Sequence, residues 1–593
     1  MSRGDAVKRK MLITAVLALM TAFFGVSSHA AIRQCDFSDP KDRDIDGRDL
    51  AQFIAHYAAG NSEANVDGVA GVGPADVVHF ALFFGKSRQP NILLIVGDDI
   101  GMDVTTNMYP GLLNNIYNLY INHSPPHSGA SNIVRNPAST PQLDRLAQQG
   151  KVFSNAWAQP FCSPTRATII TGMFAAKTNV VAYDEPMSAS HTTFVQRLKD
   201  EANYSTAVFG KWHLAGPKNN YTGVLPKQAG FELFKGHLDS AISPMYWSYN
   251  YLVQDEETDS TTYRTESAPT QSLPAGTTPA IAATTFEPVV RAADTIEWIN
   301  EREAEDPSKP WFAWLAFNEA HVLVPPDSPY YHVPNADTLD QTSYDEVAGP
   351  NGCGGVPGTN TSGLCTDKQL MRAMTNAMDT VIGKVLEAVD SIPSDTYVIF
   401  IGDNGSWSNN IDNMYITITG RGKTTAYESG ARVPLAIKGP GITAGSRSDE
   451  FVHAADLFST CLQIAGLEVA PEGLVYKDYQ GNPANLDGVS LASILFDSTT
   501  AVRDRHTGYL LTEVGYNGIK VGARNSTYKV IRRQYFPNQN LFYNLIDDPL
   551  EEYPLTPPGS CENYTNGTWK PATDPEWHYC RLVEVINLYS IFP

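Results

Sequence analysis

Positive charge is scarce in this chain: 43 Lys and Arg residues stand against 64 Asp and Glu residues, giving a formal net charge of −21 at pH 7. Nucleic-acid-binding proteins carry a basic face or stripe. The composition therefore excludes nucleic acid as an expected partner. An acidic surface also repels anions at long range, so any anionic ligand must be held by a local cluster of Lys, Arg and His side chains.

Long apolar runs are missing from the chain after its first 26 residues. A membrane-spanning helix needs about 18–20 consecutive apolar residues, so we do not expect an integral membrane protein. The N-terminus has basic residues up to Lys10, an apolar core over Met11–Val26 and the small residues Ser28 and Ala30 before Ala31. This pattern predicts a signal peptide over residues 1–30 and a secreted or periplasmic protein.

Cysteine is also rare, with seven residues in 593. In an oxidising compartment, cysteines that bracket a short loop are plausible disulfide partners. The two plausible pairs are Cys353 with Cys365 and Cys561 with Cys580. Cys461 lies in an apolar helical segment, and we expect a buried thiol there.

Five continuous apolar runs indicate strands that are buried on both faces of a parallel sheet. Helical spacing over Leu370–Ile392 separates two of the runs, which predicts an α/β sandwich with a mostly parallel central sheet. Residues 239–285 and 324–365 are long irregular stretches that could wall a substrate cleft. The runs are Ile92–Val96, Ala207–Phe209, Trp311–Phe317, Val398–Ile401 and Pro434–Ile437.

Three further units follow from the pattern along the chain. The main α/β domain is expected at 89–504, and a smaller α+β subdomain at 505–593, ending in a helix over Glu576–Ile591. Residues 31–88 contain two similar amphipathic segments, Asp49–Tyr57 and Asp76–Phe84, each after a loop rich in Asp and Gly. They resemble a degenerate dockerin-type, EF-hand-like pair. The alternatives are calcium or partner binding by this pair and a helical hairpin that serves as a spacer.

Polar residues follow two of the apolar runs. Asp98 and Asp99 come after Ile92–Val96, and Asp403 and Asn404 come after Val398–Ile401. In open α/β sheets, ligands bind beyond the carboxyl ends of the strands. Three carboxylates and an amide offer the hard oxygen ligands that suit Ca²⁺ or Mg²⁺. We therefore expect a divalent metal site there.

Cationic groups follow other runs or lie near them. Lys211 and His213 stand in Gly-Lys-Trp-His, and His321 follows Ala320 after the run that ends at Phe317. Lys423 precedes the segment Tyr427-Glu428-Ser429-Gly430-Ala431-Arg432-Val433-Pro434. Separately, Cys162-Ser163-Pro164-Thr165-Arg166 has the spacing C-x-P-x-R.

Together these motifs, in this order, resemble the type I, formylglycine-dependent sulfatases of the alkaline-phosphatase-like superfamily. The resemblance spans about residues 90–555, with Ser429 in place of a commoner glycine. It implies that a sulfatase maturase oxidises Cys162 to formylglycine. It also implies one divalent cation, usually Ca²⁺, held by the residues at Asp98, Asp99, Cys162, Asp403 and Asn404.

The resemblance also suggests a role for each catalytic residue. Arg166 and the metal would favour the ionised formylglycine hydrate as nucleophile. Lys211 and Lys423 would hold the sulfate oxygens. His321 would protonate the leaving alkoxide, and His213 would take a proton from the hydrate to release sulfate.

The expected function is hydrolysis of a sulfate ester in an exported or extracellular substrate, a sulfated polysaccharide, smaller carbohydrate or aryl sulfate. Two alternatives remain open from the sequence. One is a phosphonate monoester or phosphodiester hydrolase of the same superfamily. The other is a surface-attached binding protein whose hydrolase domain is inactive.

Overall fold

The computed structural model describes most of the chain from residue 89 onward and one helix before it. The described residues are 47–59, 89–111, 118, 137–218, 220–242, 244–321, 332–407, 421–471, 473–496, 501–503, 508–515, 520–533, 540–559, 561 and 574–589. The predicted signal peptide and the second repeat helix over 76–84 lie outside them. The first repeat helix spans Gly47–Ala59.

The strands build one large sheet, one four-stranded sheet and one hairpin. In chain order they are β1 (Asn91–Gly97), β2 (Lys151–Trp157), β3 (Ser205–Lys211), β4 (Leu233–His237), β5 (Pro244–Met245), β6 (Ser248–Gln254), β7 (Arg264–Ser267), β8 (Gln271–Leu273), β9 (Ile281–Thr284), β10 (Trp311–Ala316), β11 (Thr396–Gly402), β12 (Leu435–Lys438), β13 (Ser446–His453), β14 (Leu510–Val514), β15 (Lys520–Arg524), β16 (Tyr528–Arg533) and β17 (Leu541–Asn544).

The helices of the described residues lie between these strands. Besides Gly47–Ala59 they are Pro141–Gln149, Cys162–Thr171, Ala175–Thr178, Phe194–Ala202, Glu287–Glu305, Gln341–Val347, Asp367–Ser391, Glu428–Ala431, Asp456–Ile464, Ala492–Leu495 and Pro575–Tyr589, with short 3-10 turns at Thr106–Met108 and Ala336–Thr338.

The large sheet has the strand order β13-β2-β12-β11-β1-β10-β3-β4-β6-β5, with β7 paired to β6. Its centre, β11-β1-β10-β3-β4, is parallel throughout. The expected mostly parallel sheet is therefore confirmed. One detail differs: β12, the run expected at Pro434–Ile437, is antiparallel to both β11 and β2. Burial on both faces makes a strand apolar whichever way it runs, so composition alone does not give its direction.

Helices cover both faces of this sheet. Leu93 and Ile95 of β1 belong to the apolar cluster that packs against Glu287–Glu305 and Asp367–Ser391. The alternate residues of β1 belong to a second cluster with Cys162–Thr171 and Asp456–Ile464. Because successive side chains of a strand point to opposite faces, one central strand anchors both layers. Its carboxyl end then presents polar residues to a site between the loops.

The C-terminal region forms the smaller subdomain that the sequence predicts. Strands β14 to β17 make an antiparallel sheet, and the helix Pro575–Tyr589 packs on β15 and β16. Buried side chains from the helix and the sheet, among them Leu582, Val521 and Val530, form a common apolar cluster. The disulfides Cys353–Cys365 and Cys561–Cys580 are both present, and Cys461 is a buried free thiol.

The stretches expected to be irregular contain more structure than predicted. Strands β5 to β9 occupy much of 239–285, and a short helix occupies Gln341–Val347. Apart from β6, these strands have two to four residues, and β5 and β7 are largely exposed, so they lack the apolar periodicity that reveals a strand in sequence. Among the described residues, no helix is long and apolar enough to cross a membrane.

Candidate active site

Asp98, Asp99, Asp403 and Asn404 come together where β1 and β11 end. The two strands pair in parallel through Gly97 and Gly402, and the Asp403 amide donates to the Gly97 carbonyl at 3.0 Å. The Asp99 amide donates to Asp403 Oδ1 at 3.1 Å, and Asn404 Nδ2 donates to Asp99 Oδ1 at 2.8 Å. All four residues are buried. The structure therefore assembles the oxygen-rich group that the sequence predicts.

Among the described residues, several oxygens of this group have no hydrogen-bond partner. Asp98 Oδ1, Asp99 Oδ2 and Asn404 Oδ1 are buried and accept no hydrogen bond. Burial, followed by the nearby charge of Asp403, raises the pKa of Asp98 well above its ordinary value. Unsatisfied buried oxygens are costly, and a hard divalent cation is the ligand that satisfies such a set. The residues present thus fit a Ca²⁺ or Mg²⁺ ion.

Three buried cations face these carboxylates. Lys211 Nζ lies 2.5 Å from Asp98 Oδ2, Arg166 Nη2 lies 2.9 Å from Asp403 Oδ2, and Lys423 contacts Asp99. Burial raises the pKa of Asp403, but Arg166, Lys211 and Lys423 outweigh it and hold the pKa below its ordinary value. Without a metal, three carboxylates and three cations balance. A divalent ion would give the site a net positive charge, which suits an anionic substrate.

Cys162 is the first residue of the buried helix Cys162–Thr171. Helix N-termini favour negative charge because their amide groups and dipole point at the ligand. The Thr424 amide donates to the Pro160 carbonyl at 2.7 Å, which ties the loop of Lys423 to the loop before Cys162. Burial lowers the pKa of Lys423, but Asp99, Cys162 and other acidic neighbours raise it above its ordinary value. Lys423 therefore remains charged beside position 162.

Two histidines complete the site. His213 Nε2 lies 2.9 Å from Asp184 Oδ1, and in the described part of the chain its Nδ1 has no partner. Burial, then the charge of Lys211, lowers the pKa of His213 to about 4. His321 Nδ1 also lacks a partner, and a ring nitrogen of His321 lies within 4.8 Å of carboxylate oxygens of Asp98 and Asp99. Burial, then Lys423 and Lys211, lowers the pKa of His321 well below its ordinary value.

Unusual backbone conformations concentrate here. Seven non-glycine residues of the described chain have positive φ, and four belong to the site or its supports. They are Asp99 (58°), Asp184 (58°), His213 (60°) and Thr424 (74°). Such conformations are costly, persist only where the surrounding structure enforces them, and cluster at functional sites. Gly210 is also constrained: a Cβ there would meet the Ala316 carbonyl oxygen at 1.9 Å.

The structure thus brings together the residues that the sequence singled out: Asp98, Asp99, Cys162, Arg166, Lys211, His213, His321, Asp403, Asn404 and Lys423. Sequence reasoning missed Asp184. It lies 29 residues before His213 in a loop without a motif, so nothing in the local sequence marks it. A functional histidine is often oriented by a carboxylate that accepts from one ring nitrogen, and looking for such a partner of His213 is the one way to have found Asp184.

Comparison with known proteins places this chain in a family. Residues 90–467 match the family model described as "Sulfatase". A "Sulfatase" from Formosa agariphila is 26% identical over 79% of this chain and 83% of its own length. "Arylsulfatase K" from Bos taurus is 24% identical over 75% of this chain and 73% of its own.

A solved structure shares the fold. The structure of BT4656 in complex with D-glucosamine-2-N,6-O-disulfate has a TM-score of 0.51 and 18% identity, and the match covers 78% of this chain and 92% of that one. The class that the fold and the relatives define is an enzyme that hydrolyses sulfate esters. The chain belongs to the sulfatase family.

Proposed function

We propose that this sulfatase removes sulfate from a sulfated carbohydrate or an aryl sulfate outside the cytoplasm, after a maturase has oxidised Cys162 to formylglycine. Asp98, Asp99, Asp403 and Asn404 would hold a divalent cation, Ca²⁺ before Mg²⁺, together with the group at position 162. The family model and the named relatives support the reaction, and the sugar disulfate described for BT4656 supports a carbohydrate substrate.

One observation carries the proposal: at the carboxyl ends of β1 and β11, three buried oxygens have no partner among the described residues, and three buried cations pair with the other oxygens of the neighbouring carboxylates. The oxygens fit the cation, which when bound supplies positive charge that favours an ionised hydroxyl. The positive charges of Arg166, Lys211 and Lys423 complement the negative charge of a sulfate ester. A formylglycine hydrate supplies two hydroxyls on one carbon, so that one can attack and the other can help to expel sulfate.

The cationic side chains hold and orient the sulfate group. Arg166 donates to Asp403 and also to the Lys211 carbonyl, at 2.6 Å, so its guanidinium is fixed one helical turn after position 162. Lys211 and Lys423 are at most 2% exposed in their side chains. Ammonium groups that are held in place and shielded from water stabilise the negative charge that develops on the sulfate oxygens.

The histidines move protons on the two sides of the reaction. His213 donates from Nε2 to Asp184, which leaves the Nδ1 lone pair free to take a proton from a hydroxyl at position 162. His321 delivers a proton to the leaving oxygen. Burial and then the charges of Lys423 and Lys211 lower the pKa of His321; the charge of a bound ester opposes those cations and so favours the protonated ring.

The closest alternative, a phosphonate monoester or phosphodiester hydrolase, is tested with matched esters. The chain is produced with a maturase, and kcat/KM is measured for 4-nitrophenyl sulfate and for 4-nitrophenyl phenylphosphonate, with Cys162→Ala as the control. A sulfatase hydrolyses the sulfate faster, and Cys162→Ala removes the activity. Faster hydrolysis of the phosphonate would establish the alternative, and hydrolysis of neither ester would favour an inactive, binding hydrolase domain.

The N-terminal segments extend the proposal. Residues 1–30 direct export, and residues 31–88 form a repeat pair that binds calcium or a partner, or else spaces the catalytic domain from a surface. Calorimetric titration of the mature chain with Ca²⁺, compared with the same chain lacking 31–88, counts the bound ions. A stoichiometry that falls on deletion supports calcium binding by the repeats, and an unchanged one leaves partner binding or the spacer role.

A further inference from the structure

Tyr183 is an exposed aromatic residue at the edge of the active site. It is 48% exposed, whereas the side chains of Arg166, Lys211 and Lys423 are at most 2% exposed. A sulfate group held among those cations is buried, so the larger alcohol part of the ester has to extend from the pocket toward solvent. There it meets the residues that are exposed at the entrance.

On one side, Tyr183 is joined to the residue that holds the base. Asp184 follows it in the chain and accepts from His213 Nε2 at 2.9 Å. Burial raises the pKa of Asp184, but the hydrogen bond and charge of His213, and then the charge of Lys211, outweigh it and hold the pKa below its ordinary value. Tyr183 is therefore one residue away from a carboxylate that contacts His213 and senses the charge of Lys211.

On the other side, the Tyr183 ring stacks on Phe161, with the ring centroids 5.8 Å apart and the planes inclined at 25°. Phe161 directly precedes Cys162, and its ring centroid lies 5.0 Å from Lys423 Nζ. Phe161 also packs with Cys162 and Val514 in a small apolar cluster. Tyr183 thus contacts the Cys162 side of the site and is bonded to the His213 side, which places its exposed ring at the rim between them.

The turn that carries Tyr183 is held by hydrogen bonds. The Glu185 carboxylate accepts from the amides of Val181 and Ala182, the latter at 2.9 Å. The Val181 carbonyl accepts at 2.8 Å from the amide of Gly515, which follows β14. A tyrosine has few side-chain torsions to restrict, so a ring on a fixed turn loses little entropy when a ligand binds. The ring is in position before substrate arrives.

The chemistry of this ring selects another ring. The face of an aromatic ring carries partial negative charge, and ring edges and C–H groups carry partial positive charge. Stacking on Phe161 engages one face of Tyr183, and the exposed area of the side chain is what a ligand ring would cover. The C–H face of a sugar ring and the flat surface of an aryl ring both suit such a contact.

We infer that Tyr183 is a stacking platform for a sugar or aryl ring in the alcohol part of the ester. This inference rests on the proposed sulfatase function and names a determinant of its substrate choice. The contact is the same in the ground state and in the transition state, so it lowers KM and leaves kcat unchanged. Tyr183 acts neither on the sulfate group nor on proton transfer.

The test measures kcat and KM for 4-nitrophenyl sulfate and for mono-O-sulfated galactose, glucose, N-acetylgalactosamine and fucose. Tyr183→Ala removes the ring, and Tyr183→Phe keeps the ring but loses the hydroxyl. Tyr589→Ala is the matched control in the C-terminal helix. Tyr589 is 41% exposed and stacks on Tyr509 with the centroids 5.4 Å apart. Intact mass after substrate addition reports whether SO₃ stays on the protein.

We expect Tyr183→Ala to lower kcat/KM about 3- to 10-fold through a higher KM, with kcat unchanged and no retained SO₃. Tyr183→Phe and Tyr589→Ala should match the wild type. A larger effect on the sugar esters identifies a sugar ring as the ligand, and a larger effect on 4-nitrophenyl sulfate identifies an aryl ring.

Three results would overturn the inference. They are an unchanged kcat/KM in Tyr183→Ala, an equal loss in Tyr183→Phe, and a lower kcat with retained SO₃ in Tyr183→Ala. The last of these would mean that Tyr183 acts through Asp184 and His213 rather than on the substrate. A wild type that hydrolyses none of the esters would instead refute the proposed function.

Discussion

At the scale of single residues, His213 and His321 differ in how they are held. His213 is fixed by Asp184 at 2.9 Å, whereas His321 Nδ1 faces no protein partner. A fixed ring with one free lone pair suits a base, and a ring nitrogen without a hydrogen-bond partner among the described residues is free to meet a leaving group. This contrast supports different roles for two residues of the same type.

Removing each histidine should separate those roles. His321→Ala should slow sugar sulfates, whose alkoxides leave poorly, about 10²–10⁴-fold, and slow 4-nitrophenyl sulfate less. His213→Ala should leave one SO₃ group on the protein after substrate is added, because breakdown of the sulfated enzyme needs the base. Intact-mass measurement detects that gain.

Asp184→Asn supplies the matched positioning variant for the same experiment. It keeps the size of the side chain but loses the carboxylate that fixes the His213 tautomer. In Asp184→Asn we expect a smaller SO₃ gain than in His213→Ala. In His321→Ala we expect no SO₃ gain. If both histidine variants respond equally to the leaving group, and neither retains SO₃, the assignment of acid and base is wrong.

Position 162 makes a second prediction at this scale. When the chain is produced with a sulfatase maturase, the peptide containing Cys162 should lose the mass difference between CH₂SH and CHO. Cys461 is the internal control, since it is buried at 0% exposure in an apolar cluster and should keep its thiol. Full activity in protein whose Cys162 is still a thiol would contradict the formylglycine proposal.

At the scale of secondary-structure elements, the C-terminal sheet supports the loop that carries Lys423. Glu428, five residues after Lys423, pairs with Arg524 at 2.7 Å and Lys529 at 3.1 Å, from β15 and β16. Glu551 contacts Lys529 at 2.8 Å as well. These charges are buried and join the subdomain to the active-site loop.

Breaking this network should destabilise the protein. Glu428→Gln leaves Arg524 without its carboxylate, a loss of about 3–5 kcal/mol for a buried pair, and should lower the melting temperature at pH 7. Glu584→Gln breaks the exposed Arg581–Glu584 pair instead and should have little effect. Equal melting temperatures for wild type and Glu428→Gln would show that the network does not stabilise the fold.

The pH dependence follows from the same residue. Burial raises the pKa of Glu428, but Arg524 and Lys529 outweigh it and lower the pKa to about 2, from an ordinary value of 4.5. The unfolded chain then binds more protons than the folded chain between these values, so this contribution is present above pH 4.5 and is lost as pH falls toward 2. The difference between wild type and Glu428→Gln should shrink over that window.

The secondary-structure elements also show how much of the fold can be predicted from the sequence. β1, β3, β10 and β11 were predictable because continuous apolar runs mark central strands, and their polar carboxyl ends marked the site. The direction of β12 and the short strands β5 to β9 were not, since neither leaves a distinctive pattern of apolar residues. Asp184 was missed because its role depends on a tertiary contact with His213 and on no local motif.

At the scale of the whole molecule, an acidic protein concentrates positive charge in one buried place. The chain carries a formal charge of −21. Arg166, Lys211 and Lys423 nevertheless all pair with carboxylates at the carboxyl ends of β1 and β11. Those three cations neutralise three carboxylates, and a bound divalent ion would make the net charge of the site positive. We therefore expect metal binding at this site to stabilise the whole folded protein.

Metal removal tests this link. An ion bound by the folded state alone stabilises it by about 2.7 kcal/mol at a hundredfold excess over Kd, so chelation should lower the melting temperature and abolish hydrolysis, and Ca²⁺ should restore both. Asp403→Asn should blunt the response to chelator, because one of the three carboxylates is lost. Asp340→Ala is the control: it removes the cap of the helix Gln341–Val347, where Asp340 Oδ1 accepts from the Ser343 amide at 2.8 Å. That variant should melt earlier but respond to chelator as the wild type does. A chelator response as large in Asp403→Asn as in the wild type, or one that is missing in the wild type after complete metal removal, would contradict the site.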